Sequence, residues 1–333
     1  MTAPGAVGWT SYRHDLSNTG EDPSSAVNAG DVAGVSVAWR KSGLTGVTST
    51  PVVSNGVVYF GTEQGNEMAV DLSTGHTLWS VPVGGLVVGS PTIVGTAEYV
   101  GSGNILYRLD AATGAVVWKA TTNPSKFAQI NASPVVVANL VIEGTAQYEE
   151  IAGKPPLEFK GSIGAFDATT GKQVWNFVTT PADKTSGAGI GIWSTPAIDT
   201  GLGLLYVGTG QNIAQPPGKY EDSLLAINYQ TGKLAWWSQF TTPDVFGVGN
   251  FTGKDADVGA SPNLFSCHGE EIVGVGQKNG VYHALDAKTG ETLWNTVLTH
   301  GSPFGGALGS AAFIDGRIIA SSNIGDPKTY ADT

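Results

Sequence analysis

Short apolar runs, each bounded by glycine or by polar turn residues, recur along the whole chain. In the first copy they read TPVVS, GVVYFGT, MAVDL and TLWSV, and apolar positions alternate with polar ones on both sides of the last turn. Such alternation is typical of β-strands that bury one face. The pattern therefore predicts an all-β chain in which four short antiparallel strands make up each copy.

A nine-residue motif joins the third and fourth runs in five places. It reads Asp or Asn, two residues, Thr-Gly, three residues and Trp, in the copies DLSTGHTLW (71–79), DAATGAVVW (110–118), DATTGKQVW (167–175), NYQTGKLAW (228–236) and DAKTGETLW (286–294). The Asp side chain can bond to the backbone two residues on, and Gly accepts a positive φ, so the motif predicts a tight hairpin turn. We interpret the Trp, on the outer strand, as a packing contact between neighbouring copies.

Four-stranded units that repeat along a chain are typical of a β-propeller, whose sheets are arranged radially. The five motif copies predict five full blades within residues 46–300, and the runs GSAAFI and RIIASSN within 301–333 predict a partial sixth. Residues 1–45 are interpreted as an N-terminal segment in which VSVAWRK, ending near Trp39, supplies a ring-closing strand. We treat residues 1–333 as one propeller domain, incomplete at its C-terminus, whose ring is open or completed by a second polypeptide.

Composition narrows the classes of function. The formal net charge of −11 disfavours binding to nucleic acid, and no apolar run approaches the roughly 18 residues that a membrane span needs. The single cysteine, Cys267, excludes an intrachain disulfide and a multi-cysteine zinc site. The start, MTAPG, has no signal-peptide pattern, which leaves a cytosolic protein or one whose signal peptide has been removed.

Candidate chemistry lies in the loops that a four-stranded meander places at one end of the ring. These are the loops between the second and third strands and those that lead from one blade to the next. Their polar and aromatic residues are Glu149, Glu150, Trp193, Gln211, Asn212, Asp244, Asp255, Asp257 and Lys278. Carboxylate and amide oxygens suit Ca²⁺, a lysine can stabilise a developing oxyanion, and an exposed indole offers a stacking surface.

Each of these residues also has a plainer interpretation. The acids can be solvated or can cap turns, and the amides Gln211 and Asn212 can form a turn. Lys278 precedes Asn-Gly and can flank a tight turn, while Trp193 can belong to the core. The five histidines show no metal-ligand spacing, and no nucleotide-binding fingerprint is present.

Several segments together resemble one known family. They are the opening WTSYRHDLSNTGEDP, the segment AQYEEIAGKPPLEFKGSIGAFDATTGKQVW, the segment IWSTPAIDTGLGLLYVGTGQN, and DADVGASPNLF with VGVGQKNGVYHALDAKTG. They are similar to the quinoprotein alcohol dehydrogenases that use pyrroloquinoline quinone (PQQ), nearest the polyvinyl alcohol dehydrogenase branch. The resemblance covers nearly the whole chain and implies the eight-bladed propeller of that family.

The resemblance implies an activity and its cofactors. The family oxidises alcohols in the periplasm with PQQ and a bound Ca²⁺ or lanthanide, and it passes electrons to a cytochrome c. A periplasmic or secreted location is therefore implied for this chain. A primary, secondary or polymeric alcohol is the implied substrate.

The resemblance also implies roles for particular residues. Trp193 matches the tryptophan on which the quinone stacks, and Lys278 matches the basic residue that reaches the quinone carbonyls. Glu149 matches the metal-binding glutamate, with Glu150 adjacent to it. Gln211 falls at the position of the metal-binding asparagine, with Asn212 next to it.

The catalytic base is where this sequence departs from the family. Methanol dehydrogenases of the family carry a Trp-Asp pair after the fourth blade, and here the aligned pair is Phe246-Gly247. Asp244, three residues before Gly247, is our substitute for the base. The absence of the usual base keeps a second hypothesis open, namely a non-catalytic propeller that serves as a protein-binding scaffold.

Overall fold

The structure is a computed structural model. It describes residues 8–25, 27, 30–147, 158–180, 188–214, 216, 218–244, 246, 255–302 and 305–323. Within these ranges the one helical segment is a single 3-10 turn at Val32–Gly34, and no helix there is long and apolar enough to cross a membrane. All other regular structure in them is β-strand, as the alternation of apolar residues predicts.

The described residues form four four-stranded sheets, one five-stranded sheet and two two-stranded sheets, all antiparallel. The first sheet contains β1 (Val52–Ser54), β2 (Val57–Gly61), β3 (Asn66–Asp71) and β4 (Thr77–Pro82), and the second contains β5 (Thr92–Val94), β6 (Ala97–Ser102), β7 (Ile105–Asp110) and β8 (Val116–Thr121). The third contains β10 (Val135–Val137), β11 (Leu140–Gln147), β12 (Ser162–Asp167) and β13 (Gln173–Val178), with the short β9 (Ala128–Gln129) paired to β11.

The remaining strands complete the series. The fourth sheet contains β15 (Ala197–Asp199), β16 (Leu204–Gly208), β18 (Ser223–Asn228) and β19 (Leu234–Gln239), and a separate two-stranded pair joins β14 (Ala188–Gly189) to β17 (Asn212–Ala214). The fifth contains β20 (Asn263–Cys267), β21 (Glu270–Gly276), β22 (Val281–Asp286) and β23 (Thr292–Val297), and the sixth contains β24 (Ala312–Ile314) and β25 (Arg317–Ile319). Within the described residues, the prediction of five full blades and a partial sixth is confirmed.

The Asp-x-x-Thr-Gly motif forms the turn between the third and fourth strands of each full sheet. In the first sheet the Asp71 carboxylate accepts the backbone N–H of Thr74 at 2.9 Å and its hydroxyl at 2.8 Å. Gly75, with φ of 70°, donates its N–H to the Asp71 carbonyl at 2.8 Å. Residues with a side chain rarely adopt that backbone conformation, so the motif requires glycine here.

The repeated Trp joins each sheet to the next. The Trp79 indole N–H donates to the Ala111 carbonyl of the second sheet at 3.0 Å, and a Cβ at Gly114 would lie 2.8 Å from the Trp79 ring. Trp118, Trp175 and Trp236 make the same two contacts with the sheets that follow them. The predicted packing role of the Trp is therefore confirmed.

Trp39 makes this contact with the first sheet. Its indole N–H donates to the Leu72 carbonyl at 2.7 Å, and its ring lies against Gly75. The residues around Trp39 lie outside the assigned strands. The segment that carries Trp39 thus contacts the first blade as an outer strand would.

The N-terminal segment of residues 9–19 runs past the first strands of five sheets. Its backbone carbonyls accept N–H groups at 2.6–2.9 Å in the pairs Trp9–Val53, Thr10–Ile93, Leu16–Ile198, Ser17–Leu264 and Thr19–Phe313. The first strands of these sheets therefore surround one segment of chain, and the sheets radiate from it. This is the β-propeller arrangement that the repeat predicts.

Two buried acids, Glu67 on β3 and Glu98 on β6, interrupt the apolar core between the first two blades. Both side chains are fully buried, and their carboxyl groups lie close enough for each to affect the pKa of the other. Equivalent positions of the other full sheets hold only apolar or aromatic residues, namely Leu106, Ile163, Leu224 and Tyr282 for Glu67, and Val58, Val141, Leu205 and Val273 for Glu98. Burial raises the pKa of Glu98 to about 8 and that of Glu67 well above its usual value.

The buried pair predicts a pH-dependent stability. The folded protein keeps a proton that the unfolded chain releases above pH 4.5, so the free energy of unfolding falls as pH rises towards 8. Glu98→Gln removes the titration of Glu98 and leaves that of Glu67. Relative to the wild type, the variant should therefore gain on the order of 2 kcal/mol of stability between about pH 5 and pH 8, measured by urea unfolding. Glu291→Gln, at an exposed turn, is the matched control, and parallel pH profiles for wild type and Glu98→Gln would contradict the prediction.

Candidate functional site

Four loops of the fourth and fifth blades meet through backbone hydrogen bonds. Gly210 donates to the Gly191 carbonyl at 2.9 Å, which ties the loop after β16 to the loop that leads into the fourth blade. Val258 donates to Thr209 at 3.0 Å, and Lys278 donates to Asp257 at 3.0 Å. These bonds bring Trp193, Gln211, Asp257 and Lys278 together, as the meander topology predicts.

Trp193 lies against glycine at this junction. A Cβ at Gly259 would fall 1.9 Å from the Trp193 ring, so the indole occupies the space that any side chain there would need. The Lys278 ammonium lies 5.6 Å from the centre of the Trp193 ring, within cation–π range. Trp193 is half-buried and is therefore neither a free surface residue nor part of a closed core.

Lys278 is ion-paired with two carboxylates. Its Nζ lies 2.7 and 2.9 Å from the two Asp255 oxygens and 2.5 Å from Asp257 Oδ2. Burial acts to lower the pKa of Lys278, but the two carboxylates outweigh burial and raise it. Lys278 is thus a fixed cation at this site. Burial, followed by the Asp257 charge, raises the pKa of Asp255 to about 8.

The two amide residues are bound differently. The Gln211 backbone N–H donates to Asp257 Oδ1 at 2.6 Å, and in the orientation that satisfies its hydrogen bonds the side-chain amide also faces the Asp257 carboxylate. The Asn212 side-chain nitrogen donates to the Ala214 carbonyl. Asn212 is fully buried, and its Oδ1 has no hydrogen-bond partner among the described residues. Asn212 therefore offers the amide oxygen that is available to a ligand.

Asp244 is buried next to a second carboxyl group. Its oxygens accept the backbone N–H groups of Phe246 at 3.0 Å and Ala256 at 2.6 Å, and the Asp222 carboxyl lies close enough for each group to affect the pKa of the other. Burial raises the pKa of Asp244, while the two N–H groups favour its charged form. Burial, then the charges of Asp244 and Asp257, raises the pKa of Asp222 well above its usual value. Burial therefore favours the protonated form of both carboxyls, while the two backbone N–H groups favour the charged form of Asp244.

Sequence reasoning missed Asp222 and its neighbour Glu221. Both are fully buried, and Glu221 accepts the Thr242 hydroxyl at 2.5 Å. Burial raises the pKa of Glu221. The signal was present as two adjacent acids in KYEDS, directly before the apolar run of β18. Nothing local to that run shows that Asp222 meets Asp244.

Part of the predicted site lies outside the described residues, namely Glu149, Glu150 and Gly247. Within the described ranges, no group of three or more His, Cys, Asp and Glu residues has the arrangement of a metal site. The described donor set therefore fits a planar quinone, through the Trp193 ring and the Lys278 cation. For a metal ion it supplies the unpartnered Asn212 oxygen, and the carboxylate would have to come from Glu149 or Glu150.

Comparison with known proteins shows which protein family the chain is similar to. A sequence profile of the PQQ glucose/ethanol/alcohol dehydrogenase β-propeller domain matches residues 114–300. A polyvinylalcohol dehydrogenase from Pseudomonas sp. is 26% identical over 97% of this chain and 57% of its own length. The quinohemoprotein alcohol dehydrogenase ADH IIB of Pseudomonas putida is 29% identical over 86% of this chain and 46% of its own length.

A solved structure shares the fold. The quinohemoprotein alcohol dehydrogenase from Comamonas testosteroni superposes with a TM-score of 0.73 and 24% identity, over 87% of this chain and 49% of its own. The chain thus spans about half the length of the curated relatives that it matches. The profile covers more than half of the chain, and we conclude that the chain belongs to the PQQ family of glucose/ethanol/alcohol dehydrogenase β-propeller domains.

Proposed function

We propose that this chain forms the cofactor site of a PQQ-dependent alcohol dehydrogenase, which oxidises an alcohol of polymeric or secondary type. The observation that carries the proposal is the junction of the fourth and fifth blades, where the Trp193 indole and the Lys278 cation lie 5.6 Å apart. An aromatic surface beside a fixed cation suits a planar, electron-poor, oxygen-rich ligand. The similarity to enzymes named alcohol dehydrogenases supports the same class of reaction.

Trp193 and Lys278 would bind and orient the quinone. The indole offers a face for stacking, and Gly259 leaves the indole room to lie there. The Lys278 ammonium would donate to a quinone carbonyl oxygen and so favour the negative charge that develops on it during reduction. When bound, the quinone supplies the redox chemistry by accepting two electrons from the alcohol.

Asp244 would take the proton of the alcohol hydroxyl. The N–H groups of Phe246 and Ala256 favour its charged form, and burial favours the protonated form of Asp222 beside it. A carboxylate whose pKa is raised by burial, and whose charged form is favoured by N–H donors, suits a general base. Asp244 would thereby serve as the base, in place of the aspartate that the family carries at the position of Gly247.

The proposed metal ligands come from two separate segments of the chain. Ca²⁺ or a lanthanide would bind a carboxylate from Glu149 or Glu150 and the amide oxygen of Asn212 or Gln211. The unpartnered Asn212 Oδ1 favours Asn212 over Gln211, whose backbone and side chain both engage Asp257.

The proposal extends to partners and location. The electrons would pass to a separate acceptor such as a cytochrome c, in the periplasm or outside the cell, as the family resemblance implies. Trp294 of the fifth blade is 40% exposed, although the matching tryptophans pack on the next blade. The proposal therefore includes further strands that cover it, from a second polypeptide or from the remainder of a longer protein.

Reconstitution tests the enzymatic proposal. The protein should bind PQQ in the presence of Ca²⁺, with micromolar or tighter affinity by fluorescence titration, and then reduce a dye when primary, secondary or polymeric alcohols are added. Trp193→Ala should weaken quinone binding at least about tenfold, because stacking on the indole is lost. Trp294→Ala, on the fifth blade's outer strand, is the control. Quinone binding without dye reduction would favour the scaffold hypothesis, and no quinone binding at all would overturn the proposal.

The metal ligand can be assigned by comparing two adjacent acids. Glu149→Ala should abolish the Ca²⁺ dependence of quinone binding, whereas Glu150→Ala should preserve it, since one carboxylate is needed at the site. Isothermal titration of Ca²⁺ into each variant, with and without PQQ, measures this. The reverse result would assign Glu150, and Ca²⁺ dependence in both variants would refute the proposed site.

Lys278 is predicted to contribute both to the stability of the folded protein and to the affinity for the quinone. Lys278→Met leaves Asp255 and Asp257 without their cation, so the free energy of unfolding at pH 7.5 should fall by about 3–5 kcal/mol. Part of this loss should return as the pH falls, because burial favours the protonated form of Asp255. Quinone affinity should also fall. Lys288→Met, at an exposed turn, is the matched control; wild-type stability in Lys278→Met would contradict the assigned ion pairs.

A further inference from the structure

A turn in the N-terminal segment is built to hold one asparagine in an unusual conformation. The Asp15 carboxylate accepts the backbone N–H of Ser17 at 3.0 Å and of Thr19 at 3.1 Å, and it also accepts the Thr19 hydroxyl. Between these two residues Asn18 has φ of 53°, in the left-handed region that favours glycine or asparagine. Asp15 thus fixes the direction in which the Asn18 side chain leaves the segment.

The Asn18 side chain joins the fourth blade to the fifth. It is 2% exposed, and its Nδ2 donates to the carbonyls of Thr195 at 3.2 Å, Pro196 at 3.2 Å and Pro262 at 2.9 Å. The first two carbonyls belong to the loop that leads into β15, and the third belongs to the loop that leads into β20. One amide group therefore sets the distance between these two loops.

The backbone on either side of Asn18 strengthens this junction. The Leu16 carbonyl accepts the Ile198 N–H at 2.6 Å, and the Ser17 carbonyl accepts the Leu264 N–H at 2.8 Å. The segment is thus bonded to both blades immediately before Asn18 reaches their loops.

The same two loops carry the aromatic platform of the candidate site. Trp193 lies two residues before Thr195, and Gly259 lies three residues before Pro262. The Trp193 ring packs directly against Gly259, so its position depends on the distance between the loops. The Thr195 N–H also donates to the Ser261 hydroxyl at 2.9 Å, which ties the loops together a second time.

We propose that Asn18 is a positioning residue for the Trp193 platform, and that the N-terminal segment thereby helps to shape the binding surface for a planar aromatic quinone. Asn18 does not touch the proposed ligand. It acts by holding the loops of Trp193 and Gly259 at the separation that lets the indole lie on the glycine. The ligand part of this inference rests on the proposed function; the positioning of Trp193 does not.

Asn18→Gly isolates the side chain. Glycine adopts the left-handed backbone without strain, so the variant removes the amide donor and leaves the turn intact. Asn55→Gly is the matched control, because Asn55 also has a left-handed backbone, with φ of 50°, and lies in the turn between β1 and β2. Both proteins are compared with the wild type as full chains.

The first measurement needs no cofactor. The near-UV circular dichroism of Trp193 is obtained as the spectrum of the wild type minus that of Trp193→Phe. In the Asn18→Gly background the same subtraction should give a signal reduced by half or more, because the indole is no longer held on Gly259. In the Asn55→Gly background it should be unchanged. An unchanged Trp193 signal in Asn18→Gly overturns the inference.

The second measurement is the affinity for PQQ in the presence of Ca²⁺. The dissociation constant of Asn18→Gly should rise about tenfold, the effect of losing hydrogen bonds that orient a buried surface. Wild-type affinity in Asn18→Gly overturns the positioning inference and leaves the proposed function standing. If the wild type itself does not bind PQQ, the proposed function fails, and the Trp193 signal alone decides whether Asn18 positions the indole.

A second variant keeps the test open if Asn18→Gly does not fold. Ser261→Ala removes the other tie between the two loops, the acceptor of the Thr195 N–H, without touching the N-terminal segment. It should lower the Trp193 signal and the affinity for PQQ in the same direction. A Ser261→Ala protein with an unaltered Trp193 signal would show that loop separation does not control the indole, and it would overturn the inference.

Discussion

The rest of the structure depends on the contact between a tryptophan of one sheet and a glycine turn of the next. The indoles of the first four blades cover the turn glycine of the following blade and donate their N–H groups to a carbonyl beside that turn. The contact satisfies a buried donor and buries a large apolar ring in one step. Because each full blade carries a turn glycine and a tryptophan, the same contact recurs from one sheet to the next. The aspartate of the turn then holds the glycine where the tryptophan needs it.

The stacking of the blades also brings together the loops that form the candidate site. Loops at one end of the fourth and fifth blades are brought together by the radial arrangement, and their backbones then bond to one another. The site is thus assembled from residues far apart in sequence, and each loop contributes a different group. Trp193 supplies an aromatic face, Lys278 a fixed cation, and Asp244 a carboxyl group. Their positions depend on the sheets and on the hydrogen bonds between the loops.

Buried charge is concentrated where the blades meet. Asp222, Asp244, Asp255 and Asp257 surround Lys278 or one another, and a fully buried acid pair, Glu67 and Glu98, lies between the first two blades. Carboxyl groups in such positions lower the stability of a fold unless they are paired or protonated. At the site, the backbone N–H groups on Asp244 and the ammonium of Lys278 offset that cost. Between the first two blades, burial favours the protonated carboxyls, which carry no charge.

The sequence by itself determined the local architecture: the all-β class, the strand count of each blade, the hairpin turns and the contact made by each tryptophan. These follow from interactions within a few residues, such as Asp71 with Thr74, and from a pattern repeated five times. It also placed Trp193, Gln211 and Lys278 at one end of the ring. The tertiary structure alone decided which of these groups touch. Asn18 donates hydrogen bonds to Thr195 and Pro262, which lie 177 and 244 residues away in sequence. The Asp222 carboxyl lies near that of Asp244, although strands β18 and β19 separate them in sequence. Contacts of that range depend on the distance between whole sheets, which no local pattern of apolar and polar residues encodes.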